Sequence, residues 1–226
     1  MKPTDYTIIR SRRRSLELRL YPDRRIEVRV PLRTSEHDIS SFIASKSGWL
    51  KRRLSTLPEA GQRPALKFCD GEEHLFLGER YPLSLNIGRR SMTALTDGCI
   101  EMLLPVPDDG QQVARQLSRW YRAQAETVYN RIIDQHFGFF AERGHNRPSL
   151  RIRSMKSRWG SLSSRGYINL NAELIKTPLR SIEYVVIHEL CHLEHMNHGP
   201  GFRRLLSQRL PDWEQRKREL NLSSLI

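Results

Sequence analysis

The sequence predicts an α+β fold: a β-rich N-terminal part with one helix, then a part built on long helices and a short antiparallel sheet. Three observations lead there. Strict apolar alternation recurs in the first thirty or so residues. A long 3.6-residue periodicity begins after Gly110. Two strand-like pieces and a proline-started helix follow it. A chain of 226 residues is long enough to bury a real core.

The elements follow in order. Leu16, Leu18 and Leu20 alternate with polar residues, as do Ile26, Val28 and Val30, with "YPDRR" as the turn between them. That pattern is an antiparallel hairpin with one buried face. "TSEHDISSFIASKSGWLKRRL" reads as one helix, N-capped by Ser35, with Ile39, Phe42, Ile43, Trp49 and Leu50 buried. Pro58 to Pro64 reads as a loop, and "LKFCDG", "EHLFLGERYPLSLNI" and "CIEMLLPV" as strands. "PVPDDG" at 105–110 is a break, which predicts domains at 1–108 and 109–226.

After it, Val113, Leu117, Tyr121, Val128 and Ile132 mark a helix from Gln111 to about Arg143, with Gly138 a potential interruption. "SLRIRSM" and "GYINLNAEL" read as strands around "KSRWGSLSSR". "TPLRSIEYVVIHELCHLEH" reads as a helix with Thr177 as N-cap and Pro178 at N1. Pro211 separates two final helical pieces.

Composition narrows the function classes. The net charge is +13, from 38 basic and 25 acidic residues. Such a field attracts anions, whether nucleotides, nucleic acid or acidic peptides. Three scattered cysteines imply no disulfide framework and fit a reducing cytoplasm. The N-terminus lacks a signal-peptide core, and no apolar run is long enough to span a bilayer, so a membrane partner is not expected.

Four of the eight histidines fall between His188 and His198. His188-Glu189-Leu190-Cys191-His192 is an H-E-x-x-H. Residues i and i+4 share a helix face, so the two imidazoles can converge on one ion. Zinc takes histidine nitrogen and activates a water molecule, and Glu189, beside the first ligand, is placed to take that water's proton. His198 is the favoured third ligand, since Asn197 and Gly199 can turn the chain back after the helix ends. The set stands at i, i+4 and i+10, the metzincin spacing, but His195 occupies the metzincin glycine position and no later methionine follows Met196. Glu214, Glu219 and His195 are the alternatives. His195 would lie about 10.5 Å along a continuing helix from His188, too far to share its ion. Cys191 points away from His192 and reads as a small buried residue.

Residues 147–180 hold eight bases against one acid, Glu173. Lys156, Arg158, Trp159 and Asn169 are the candidate substrate-binding residues of this segment. The first sixty residues are also basic, with "RSRRR" a candidate phosphate contact.

"MKSRWGSLSSRGYINLNAELIKTP", "IEYVVIHELCHLEHMNHGPGF" and "PDW" resemble the YgjP-like family of bacterial metal-dependent hydrolases, related to SprT-like and WLM zinc peptidases. "RSRRRSLELRLYPDRRIEVRVPLRTS", "SGWLKRRL" and "GERYPLSL" extend the likeness to the N-terminal part. The resemblance implies a zincin-like catalytic part, one zinc ion on His188, His192 and His198, and Glu189 as general base. Leu162 stands where the family has cysteine, and Arg203 where it often has tryptophan.

The leading expectation is a zinc metallopeptidase acting on a peptide or protein. One alternative is a metal-dependent nucleoside triphosphate pyrophosphatase, with Arg153, Lys156 and Arg158 on the phosphates. The other is a nucleic-acid-associated, SprT-like protease.

Overall fold

The computed structural model describes residues 6–21, 24–55 and 66–223. The expected loop at Pro58–Pro64 and residues 22–23 of the expected turn lie outside these. The protein is α+β, and its chain divides into two compact units between Ala65 and Leu66.

The first unit holds β1 (Thr7–Ser11), β2 (Glu17–Leu20), β3 (Ile26–Pro31), α1 (Glu36–Ser45) and α2 (Ser47–Ser55). The expected hairpin is present: β2 runs antiparallel to β3, with Leu18 opposite Val28. β1 is an unexpected third strand, parallel to β3, which gives the order β1-β3-β2. Val28 and Val30 pack on Ile39 and Ile43 of α1. Ser35 caps α1 by accepting from the Asp38 N–H. The single predicted helix is two, because the chain leaves the helical path at Lys46, whose N–H turns back to the Ile43 carbonyl. Trp49, expected inside, is 43% exposed after that break.

The second unit begins with β4 (Glu73–Phe76), β5 (Glu79–Ile87), β6 (Met92–Thr96) and β7 (Cys99–Leu104), in the order β4-β5-β7-β6. "LKFCDG" is a loop rather than a strand, and β6 was not expected. α3 (Gly110–Ala141) follows, with Asp109 accepting from the Gln111 and Gln112 N–H groups as its N-cap. α3 runs straight through Gly138. A helical glycine costs about 1 kcal/mol against alanine, but the buried Phe140 beside it anchors the turn in the core.

The break at 105–110 is therefore a turn and not a boundary between compact units. Phe76, Leu83, Ile100 and Met102 of the sheet share one core with Val113, Leu117 and Trp120 of α3. A turn that leads directly back onto its own sheet reads, in sequence, like a linker.

Next come β8 (Ser149–Arg153), β9 (Gly160–Ser163) and β10 (Tyr167–Asn171), ordered β8-β10-β9. The sheet is mixed: β10 is antiparallel to β9 but parallel to β8. The third strand arises from "GSLS", which carries too little alternation to announce itself. A short 3-10 helix (Ala172–Lys176) leads into α4 (Leu179–Cys191). Pro178 itself is the N-cap of α4, and Thr177 closes the preceding turn by donating to the Leu174 carbonyl. α5 (Pro200–Arg209) and α6 (Trp213–Ser223) flank Pro211 as expected. Among the described residues no helix is long and apolar enough to cross a membrane.

Candidate metal centre

α4 buries Ile182, Val185, Val186 and Leu190 in the core. That fixes which face carries the motif. His188 sits in its last turn. The helix ends at Cys191, and His192 is the C-cap, still in the right-handed helical region at φ −69° and ψ −12°. The i, i+4 relationship thus survives the end of the helix. Cys191 is fully buried, as its angle from His192 requires.

The chain then turns. Asn197 Oδ1 accepts from the Gly199 N–H at 3.1 Å, Gly199 caps α5, and Pro200 starts it. This turn returns His198 to the first two rings. One nitrogen from each of His188, His192 and His198 lies within 4.8 Å of the others. His188 Nε2 and His198 Nε2 are 3.0 Å apart. Two nitrogens on one tetrahedral zinc would stand about 3.3 Å apart, given Zn–N bonds of about 2.0–2.1 Å. The donor set fits such an ion.

The site's electrostatics agree. Burial, and then the neighbouring His192 and His198, push His188 down to about 3, so its imidazole is neutral and free to ligate. His192 Nδ1 lies 2.9 Å from the His195 carbonyl oxygen. A carbonyl only accepts, so Nδ1 carries the proton and Nε2 offers its lone pair to the cluster. Phe202 backs all three rings, with centroids 4.9, 4.7 and 4.7 Å from His188, His192 and His198.

The other ligand candidates are placed elsewhere. The His195 side chain packs against Gly201 and stays outside the convergent group; its contribution is its main-chain carbonyl. Glu219 pairs with Arg180. Glu214 lines the cleft beside His198 without joining the group.

Glu189 is only 6% exposed. Burial pushes its carboxyl up to about 7, while the Leu162 N–H and the nearby Arg158 pull the other way. Leu162 lies on β9, so the glutamate is docked on that edge strand. Gly160 leaves the room for it: a Cβ there would stand 2.8 Å from Glu189 Oε1.

The basic segment separates into parts. Lys156 and Arg158 are exposed on the loop before β9, and Trp159 lines the cleft with Gly160, His188 and Glu189. Asn169 spends its amide inside the sheet, donating to Ser161 O and Oγ. Arg153 lines a different cleft with Arg122 and Arg151, which shares no residue with those at the histidines.

Two residues went unnoticed in the sequence. Asn171 Nδ2 donates to the Met155 and Arg158 carbonyls and so shapes the loop that carries Lys156 and Arg158. Its Oδ1 accepts from the Glu173 N–H, an N-cap that "NAE" could have announced. Lys217 of α6 lines both clefts that meet at His188, and no local pattern marks it.

No curated protein matches the sequence. The metallopeptidase zymogen jannalysin of Methanocaldococcus jannaschii is 18% identical, covering 42% of this chain and 88% of its own, with a TM-score of 0.37. The zymogen abylysin of Pyrococcus abyssi is 24% identical, covering 39% and 90%, with a TM-score of 0.33. The profile "YgjP-like, metallopeptidase domain" matches residues 14–223, nearly the whole chain, and the protein belongs to that family.

Proposed function

We propose that this metal-dependent peptidase uses one zinc ion, held by His188, His192 and His198, with Glu189 as general base. The observation that carries the reading is the convergence of three imidazoles beside a buried carboxyl docked on an edge strand. When bound, the ion supplies Lewis acidity to a water molecule and to the scissile carbonyl. Three imidazoles without a carboxylate partner suit zinc and disfavour magnesium, and this supports peptide over phosphoanhydride hydrolysis.

The remaining steps belong to the chain's own groups. The Glu189 carboxyl, near 7, takes up a proton at neutral pH and returns it to the leaving amine. The Leu162 N–H and the space over Gly160 hold its oxygens in place. β9 pairs with β10 on one side only; its Leu162 N–H goes to Glu189, and the remaining main-chain groups of its outer edge are offered to an extended peptide. Trp159 walls the cleft, and Arg158 brings positive charge near Glu189 from the loop before β9.

The test is to load the protein with zinc and assay an unfolded protein substrate. Cleavage stops on chelation, returns with zinc, and is absent in Glu189→Gln although that variant still binds zinc. A variant as active as wild type would overturn the base assignment. Purified protein that binds no zinc would overturn the metal assignment.

A further inference from the structure

Two clefts meet at the histidines. The wider, about 360 Å³, is lined by His188, His198, Phe202, Arg203 and Trp213. The narrower, about 170 Å³, runs past Trp159, Gly160 and Glu189. Lys217, Tyr184 and His188 line both. Lys217 is therefore the cation at the junction, and Arg203 stands in the wider arm.

Two neighbouring cations, one on α4 and one on α6, are matched. Arg216 is held by Asp212 and Glu183, and Arg180 by Asp212 and Glu219. Lys217 and Arg203 form no ion pair among the described residues. Lys217 rests 5.8 Å from the Trp213 ring centroid, and Glu214, the acid of the same cleft, pairs with neither cation. Two like charges that line one cleft with no acid paired to either attract an anion.

We infer that Lys217, with Arg203, forms a carboxylate-binding subsite beside the histidine triad, which selects peptides presenting a carboxylate next to the bond to be cut. The inference rests on the peptidase reading and adds its substrate class. The carboxylate comes either from a free C-terminus or from an Asp or Glu side chain. Lys217, exposed at the junction of the two clefts, acts by gripping it through a charge-assisted hydrogen bond.

Four internally quenched peptides of one core sequence test this. Two differ only in a C-terminal carboxylate or amide, and two only in Glu or Gln beside the cut. The zinc-loaded protein should cleave at least one carboxylate peptide with KM roughly tenfold below its neutral twin, the scale of one charge-assisted contact. The pair that differs identifies the source. Lys217→Met should level the pair at little change in kcat for the neutral peptide, and Lys217→Arg should restore the difference. Arg203→Gln should narrow it. Equal KM values in wild type, or a preference that survives Lys217→Met, overturn the subsite.

If none of the peptides is cleaved, it is the peptidase reading that fails. The subsite is then decided by Trp fluorescence titration of the same peptides on zinc-loaded Glu189→Gln. Tighter binding of a carboxylate peptide, lost with Lys217→Met in a variant of unchanged melting temperature, supports it. Equal affinities overturn it.

Discussion

Gly160 and Glu189 are in contact such that no side chain fits between them: a Cβ at Gly160 would meet Oε1 at 2.8 Å, Cγ at 2.9 Å and Cδ at 3.1 Å. The carboxyl cannot retreat easily, because it is buried and bound to the Leu162 N–H. Gly160→Ala should therefore turn the base out of place while leaving the histidines untouched. A displacement of about 1 Å costs on the order of a hundredfold in rate. Peptide hydrolysis should fall by that much at unchanged zinc content, and a fully active Gly160→Ala would show that Glu189's position is not critical.

The histidines make a second prediction. His198→Ala should reduce zinc stoichiometry, since it removes one of three converging nitrogens. His195→Ala should keep it, because that residue reaches His192 through its main-chain carbonyl. Metal analysis after dialysis decides it, and equal losses in both variants would count against the assignment.

Glu189 carries a stability cost. Its folded pKa of about 7 lies above the ordinary 4.5. The folded state holds this proton more tightly than the unfolded chain, so stability is lost as pH rises from 4.5 and the loss is complete above about 7. In metal-free protein at pH 8 the penalty is on the order of 3 kcal/mol. Glu189→Gln removes the charge and should raise the melting temperature there by about 2–4 °C per kcal/mol. At pH 4 the two proteins should melt together. A Gln variant less stable at pH 8 would contradict this.

Glu183 makes the opposite prediction. Burial would raise its carboxyl, but Arg216 and His136, the latter with Nε2 2.9 Å away, outweigh burial and hold it below 4.5. A depressed acid contributes stability above its unfolded pKa and loses it as pH falls through the folded value. Glu183→Gln should cost about 1–3 kcal/mol at pH 7, the worth of a hydrogen bond to a charged group. The gap should close below pH 4.5. Calorimetric scans across that range test it, and a gap that widens in acid would refute it.

The sequence exposes some of these features and hides others. Elements with a strong period were visible: the hairpin of Leu18 and Val28, and the long helix from Val113 to Phe140. The histidine set was visible because its spacing is local. His198 needed only the helix-ending Asn197-His198-Gly199-Pro200 turn. β1, β6 and β9 were not, since short edge strands owe their form to partners far along the chain. The split at Lys46 and the exposure of Trp49 were hidden for a related reason: a one-residue break resets the helical face. Lys217 was out of reach, because only the packing of α6 on α4 brings it to His188.

All three histidines lie within eleven residues of chain, and the ring behind them, Phe202, is four residues further. Glu189, by contrast, depends on a strand about thirty residues upstream. The two halves of the centre therefore have different contact orders. The histidine triad is a short-range structure that closes as soon as α4 and α5 meet, while Glu189 is set only when the distant sheet docks. On the proposed reading, a folding chain assembles its three histidines before it sets the base that would cut.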